Sequence, residues 1–306
     1  MLPGFLQLGV HYNAMGSTRP EAREAFGELY QSADRLVVDV PESAFETKGG
    51  TSMGAAAQDL SGRVAVVTRA GGGIGVAIVR RLASAGAMVF AADRNAEGSN
   101  ETATKLQKEG LMVFGAAVDV SDPKSVTMLV DEVHSKVSQP VAILVNNAGV
   151  RGPSKELWRM EFEKWRSVLS VDLDGVFLCC LAFLPDMFKQ SLGRVINIAS
   201  VYGKEGFPTP SAYAAAKAGV IALGRSLSRQ VAQKGVLVHT VVPGIIRSPR
   251  SENIDPQEVQ RAISLVPLGR PGEPEEVAAL VGLLAGSEIT FNTGSTWDVS
   301  GGKATS

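Results

Sequence analysis

The chain has 306 residues, of which 45% are hydrophobic and 20% charged, with a formal net charge of −1. That composition fits a soluble globular protein with a sizeable core, and without a long basic run nothing invites nucleic acid or an anionic membrane. The three histidines (His11, His134 and His239) are scattered, so no cluster has metal-ligand spacing.

Residues 1–59 differ in character from the rest of the chain and are read as an N-terminal extension, partly disordered and of unassigned role. Pro20 to Leu36 has helix composition, and Lys48 to Gln58 is a small-residue linker. Met1 to Pro20 lacks acids, as organelle transit peptides do, but it carries a single arginine and acids come directly after it. A reducing cytoplasm is the simplest setting, because Cys179 and Cys180 are adjacent in an apolar run and read as buried thiols.

From Gly62 onward a regular alternation begins. Apolar, β-branched runs recur at 64–68, 88–93, 113–120, 142–146, 194–200 and 236–242. Their apolar character is nearly continuous, as expected of strands covered by helices on both faces. Helix-length stretches separate them: Ile74–Ala85, Ala96–Glu109, Pro123–Val137, Lys155–Gln190 with an interruption, and Ala212–Gln233. This alternation predicts an α/β fold, one doubly wound Rossmann-type domain over residues 60–306 with a parallel sheet of about seven strands. The most apolar window, Val176 to Leu184, is about half the ~20 residues of a membrane span, and Pro185 and Asp186 are expected to end it.

The first strand runs into a glycine-rich turn, Thr68 to Gly75, that opens a helix. Such a turn lets backbone approach a diphosphate, whose charge sits at the helix N-terminus. Asp93 closes the second strand, where a carboxylate accepts ribose hydroxyls and repels a 2′-phosphate. Together these features indicate dinucleotide binding. Further along, Ser200 ends a strand, and Tyr213 and Lys217 lie one turn apart on the next helix. A tyrosine and a lysine at this spacing occur by chance in many helices; the cofactor features give this pair its weight.

From about Leu60 to Gly302 the chain resembles the short-chain dehydrogenase/reductase family, in the branch of 3-oxoacyl-acyl-carrier-protein reductases and NAD(P)-dependent alcohol dehydrogenases. The resemblance rests on the turn at Thr68–Gly75, Asp119-Val120, Asn146-Asn-Ala-Gly149, Ser200, Tyr213-x-x-x-Lys217 and Pro243-Gly-Ile-Ile-Arg-Ser248. It implies that Gly73, Ile74 and Gly75 carry the cofactor turn and that Asp119 and Val120 hold the adenine. Asn147 and Gly149 would border the nicotinamide ribose, with Asn146 mainly structural. Pro243, Gly244 and Ser248 would meet the carboxamide, and residues 247–266 would form a substrate lid.

The resemblance further implies hydride transfer between a nicotinamide cofactor and a secondary alcohol or ketone. Tyr213 would be the general acid/base, Ser200 would hold the substrate oxygen, and Lys217 would tune the phenol and bond the ribose. A free phenol ionises near pH ~10, so a phenolate base near neutrality needs roughly 4 kcal/mol of stabilisation, supplied by an ammonium and the positive oxidised nicotinamide. NAD is the expected cofactor because of Asp93, with NADP kept open by Arg94 and Arg69. A homotetramer built on the long helices is implied, with Cys179, Cys180 and Phe183 either at a subunit contact or in the core. Acyl-carrier binding would need a basic patch at the site mouth, for which Lys234 and Arg270 are the candidates.

Two positions depart from the family pattern. Arg69 stands where the turn's first glycine belongs, and a non-glycine at positive φ is strained. Asp172 stands where an asparagine usually completes the catalytic set by supporting a water that links the lysine to solvent. An aspartate has no amide N–H to donate, and its charge acts on Lys217. These departures motivate a second reading: a catalytically weak NAD(P)-binding scaffold or sensor.

Overall fold

The computed structural model describes residues 59–248 and 256–304. The expectations for residues 1–58 lie outside them. Seven strands form one parallel sheet: β1 (Val64–Thr68), β2 (Met88–Asp93), β3 (Val113–Ala117), β4 (Val141–Asn146), β5 (Gly193–Ile198), β6 (Val236–Pro243) and β7 (Thr296–Val299). Their order is β3-β2-β1-β4-β5-β6-β7, so the winding reverses between β1 and β4. In open sheets of this kind the crevice at the C-terminal ends of the strands, at that reversal, is where ligands bind.

Helices α1 (Ile74–Ser84), α2 (Ala96–Gln107), α3 (Pro123–Lys136), α4 (Phe162–Leu169), α5 (Gly175–Gln190), α6 (Val201–Glu205), α7 (Ser211–Val231), α8 (Pro256–Ser264) and α9 (Pro274–Ala285) complete the fold. Successive residues of β1 serve opposite faces, as the pleat requires. Val64 and Val66 pack into one core with Leu129 of α3, Phe183 and Met187 of α5 and Val220 of α7. Ala65 and Val67 pack into the other with Ile78 and Leu82 of α1, Leu106 of α2 and Leu284 of α9. All of β1 is buried, which explains its unbroken apolar sequence. Each fully buried Val or Leu contributes about 1.5–3 kcal/mol.

One expectation changes in the second half of the sheet. The helical stretch expected from Lys155 begins at Phe162, and its interruption is a π-helical turn, Ser170–Asp174, that joins α4 to α5. As expected, the helix runs on to Gln190, past Pro185 and Asp186. Pro185 lies on the exposed side, so the carbonyl freed one turn earlier faces water. Asp186 is buried and is held by His134 Nε2 (2.6 Å), Lys189 Nζ (3.0 Å) and the Val141 N–H (3.2 Å). Burial raises its carboxyl, but these donors outweigh it and hold it below the ordinary range.

Within 162–190 an 18-residue window, with a mean hydropathy of 1.9, is apolar enough by composition to cross a bilayer. The stretch instead lays Cys179, Cys180, Phe183 and Met187 against the sheet as core. The core reading of Cys179, Cys180 and Phe183 therefore replaces the subunit-contact one. The outward side of α5 is carried by Phe177 and Leu181, 52% and 60% exposed. Both cysteines are free thiols.

Candidate active site at the C-terminal ends of the strands

The glycine turn leaves β1 with an unusual backbone. Arg69 adopts φ 53°, the left-handed region that a glycine enters without cost. Gly73 comes next at φ 53°, ψ −130°, a conformation essentially confined to glycine. At Gly75 an added Cβ would lie 2.1 Å from the Arg69 carbonyl oxygen, so the turn closes only around a bare backbone. Helix α1 begins there without a side-chain cap and with no acid in its first turn. A Cβ on Gly72 or Gly73 would meet no atom within 4 Å, so open space lies beside the turn at the start of the helix, where the Gly75 N–H closes back on the Gly72 carbonyl at 3.2 Å. This cradle fits a dinucleotide's diphosphate, for backbone donors and helix dipole both favour an anion there.

Asp93 is fixed beside that turn. Its Oδ2 accepts the Gly71 N–H at 3.0 Å and its Oδ1 the Asn95 N–H at 2.9 Å. A carboxylate has about four acceptor sites, so both oxygens keep capacity for ribose hydroxyls. Asp119 sits in the turn after β3, which ends at Ala117 rather than at residue 120. The Ser121 hydroxyl donates to Asp119 at 2.5 Å and the Ser121 N–H at 3.0 Å, which holds its carboxyl below the usual range despite partial burial. Val120 is buried, and its side chain fills the space a Cβ on Gly175 would need.

The ends of β1 and β4 are tied together by Thr68 and Asn147, a bracing role the sequence did not announce for either. The Thr68 hydroxyl accepts the N–H groups of Asn147 (3.0 Å) and Ala148 (2.9 Å). The Asn147 amide donates to the carbonyls of Thr68 (3.1 Å) and Arg69 (3.2 Å). Asn147 thus braces the strained turn. Asn146 points inward, donating to Asn197 at 2.9 Å across the β4–β5 pair.

Lys217 is 3% exposed and donates from Nζ to the Ile198 carbonyl at 3.0 Å. Its ammonium lies 5.7 Å from the Tyr213 ring centroid. The π-helical turn sends Asp172 into the same buried space, where Oδ1 accepts the Val150 N–H at 2.7 Å. Asp172 Oδ2 stands 3.3 Å from Lys217 Nζ, an ion-pair distance without hydrogen-bond alignment. Burial pushes the Asp172 carboxyl above its ordinary range, against the charge of Lys217, the Val150 N–H and the charge of Arg69. Gly149 makes this possible, since a Cβ there would meet Asp172 Oδ2 at 2.8 Å and Lys217 Nζ at 3.2 Å.

Ser200 caps the short helix α6, its hydroxyl accepting the Tyr202 N–H at 3.3 Å. Helix α6 presses on α7 at Gly203, where a Cβ would lie 2.6 Å from the Lys217 carbonyl carbon. The ring of Tyr202 then meets that of Tyr213 edge-on at 5.7 Å. The structure therefore brings Tyr213, Lys217, Asp172 and Gly149 together directly, and Ser200 through α6. In sequence Gly203 reads only as loop punctuation and Tyr202 has no signal at all.

Pro243 ends β6 opposite Val299, and Gly244 packs on Ser300, where a Cβ would lie 2.8 Å from its Cα. Ser248 is the last residue described before 249–255, so that part of the expected 247–266 lid lies outside the described residues, and α8 forms most of the remainder. The first residue of that lid, Arg247, is anchored to Glu273 at 2.8 and 3.1 Å. Among the described residues, the two candidates for a basic patch at the site mouth do not supply one. Arg270 is paired with Glu276 at 2.7 and 2.8 Å, and Lys234 lies over the Phe188 ring, before β6 and so at the opposite end of the sheet.

The family model described as short chain dehydrogenase matches residues 63–259. The chain belongs to that family. It is an NAD(P)-dependent oxidoreductase acting on alcohol or keto groups. The chain is 36% identical over 245 residues to a 2-dehydro-3-deoxy-L-rhamnonate dehydrogenase (NAD(+)) of Sphingomonas sp. strain SKA58, covering 80% of this chain and 96% of the relative. It is 37% identical over 244 residues to the 3-oxoacyl-[acyl-carrier-protein] reductase FabG of Vibrio cholerae, covering 80% and 98%. Among solved structures, the crystal structure of gox2181 superposes with a TM-score of 0.77 at 33% identity, covering 80% of this chain and 96% of that one.

Proposed function

We propose that this oxidoreductase moves a hydride between NAD and a secondary alcohol or its ketone, with Tyr213 as general acid/base. The observation that carries this reading is the burial of Lys217 beside Tyr213, with its ammonium 5.7 Å from the ring. The nicotinamide, when bound, supplies the hydride acceptor or donor. Tyr213 takes the alcohol proton in oxidation and returns it in reduction, and Lys217 favours the phenolate form. Ser200 holds the substrate oxygen by a hydrogen bond. The turn at Gly73, Ile74 and Gly75 receives the diphosphate, and Asp119 with Val120 borders the adenine. Asn147, Gly149, Pro243, Gly244 and Ser248 border the nicotinamide end.

Asp93 supports NAD over NADP, since its anchored carboxylate accepts ribose hydroxyls and repels a 2′-phosphate. Steady-state rates on a panel of secondary alcohols, each with NAD and with NADP, test both statements. We expect turnover with kcat/KM favouring NAD; a tenfold or larger preference for NADP contradicts the cofactor assignment. The Asp172–Lys217 pair supports the second reading, a weakly catalytic NAD-binding protein, because it partly neutralises the ammonium. Tight NADH binding without turnover on any alcohol or ketone would favour it. We further propose a homotetramer using the α4–α5 rods, supported by the exposed Phe177 and Leu181, and a cytoplasmic setting, supported by the two free thiols.

A further inference from the structure

Arg151 lies two residues beyond Asn146-Asn-Ala-Gly149, in the loop leaving β4, and is exposed. Its guanidinium lies over the ring of Tyr202, 5.6 Å from the centroid, and Nη2 donates to the Tyr202 hydroxyl at 3.2 Å. Tyr202 is held in turn by Phe207, at 4.6 Å between ring centroids, and by its edge contact with Tyr213. Its own N–H is bonded to the Ser200 hydroxyl. A fixed positive charge therefore stands one aromatic ring away from the proposed acid/base, on the side of the loop that also carries Gly149.

The other exposed arginines near acids behave differently. Arg80, Arg247 and Arg270 are each bound to a glutamate. Arg151 has no carboxylate partner among the described residues. One Nη2 bond to a phenol leaves most of its five donors unused, and that bond holds the guanidinium beside the ring. A planar, oriented guanidinium with free donors matches the two oxygens of a carboxylate. The charge is not placed for a 2′-phosphate, because Asp93 ends β2 and β1 lies between β2 and β4.

We infer that Arg151, seated on Tyr202, anchors the carboxylate of the substrate, so that the enzyme's substrates are hydroxy acids or oxo acids rather than neutral alcohols or acyl thioesters. The identity of the reacting carbon rests on the hydride-transfer reading above; the anion site does not. The test uses a series of hydroxyalkanoates with the secondary alcohol one to four carbons from the carboxylate, together with their methyl esters and a 3-hydroxyacyl thioester. Binding to the full-length protein saturated with NAD is measured by calorimetry, and turnover is measured in parallel, for the wild type, Arg151→Lys and Arg151→Gln. At least one acid should bind at least tenfold more tightly than its ester. Arg151→Gln should remove that preference and leave ester binding unchanged, and Arg151→Lys should restore part of it. In turnover the loss should appear mainly in KM. Acid and ester bound alike, no acid bound, a thioester preferred, or acid binding unaffected by Arg151→Gln would each overturn the inference. Acid-selective binding lost in Arg151→Gln, but without turnover of any compound, would support the anion site while contradicting the hydride-transfer reading.

Discussion

Asp172 and Lys217 form a buried pair next to the phenol that the proposed chemistry depends on, with side chains 0% and 4% exposed. The carboxylate, when ionised, offsets part of the ammonium's field at Tyr213. Replacing it by an amide of the same shape removes that offset while keeping an acceptor for the Val150 N–H. In Asp172→Asn the acidic limb of the pH profile for alcohol oxidation should therefore move to lower pH, by on the order of one unit. Superimposable profiles would show that the charge at this position does not reach the reaction. Single positions were unevenly legible in the sequence. Asp93, Tyr213 and Lys217 stand out from spacing and strand ends, whereas Tyr202 and Arg151 depend on a contact made only when α6 folds back over α7. Arg69 was legible as a candidate for strain because it stands where the turn pattern has a glycine, and φ 53° agrees.

At the level of elements, unbroken apolar runs announced the strands, and the strands put every candidate side chain at one edge of the sheet. The junction between α4 and α5 was not legible in the same way. An interruption was expected, but not a π-helical turn that carries Asp172 inward; further on, α5 tolerates Pro185 because it faces water and Asp186 because it finds three donors. Local breaker rules yield when tertiary partners satisfy the freed groups. The buried strand β6 carries a second such compromise. His239 is fully buried, and burial, with the nearby Arg194 charge, lowers its pKa from 6.5 to about 4. The unfolded chain thus binds this proton more readily than the folded one, so His239 stabilises above pH ~6.5 and that contribution is lost as pH falls towards 4. Asp186, also depressed, adds its loss at still lower pH, where its carboxyl protonates. The urea midpoint should fall steadily from pH ~6.5 to pH ~4, by at most about 3 kcal/mol of stability from His239. A flat profile across that window would mean that the histidine is not neutral in the folded state.

For the whole molecule, the reversal of winding between β1 and β4 explains why the turn, Asp93 and the Tyr213 helix converge although they are distant in sequence. The strand order could be expected from the alternation of elements, because right-handed crossovers leave few arrangements. The assembly is less legible, since apolar helix residues serve a core or an interface equally well. Burial of Cys179, Cys180 and Phe183 within one chain assigns the outward Phe177 and Leu181 to the proposed contact between copies. Light-scattering mass should drop from tetramer to a smaller species in a Phe177→Asp, Leu181→Asp double variant; an unchanged mass would remove α5 from the interface.

The central claim is that Tyr213 carries the proton in a hydride transfer. It is tested most directly by comparing the wild type and Tyr213→Phe for NADH affinity and for rate on the best alcohol of the panel. The account predicts an unchanged NADH dissociation constant and turnover reduced to background, since only the phenolic oxygen is removed. A variant that turns over at close to the wild-type rate would contradict it.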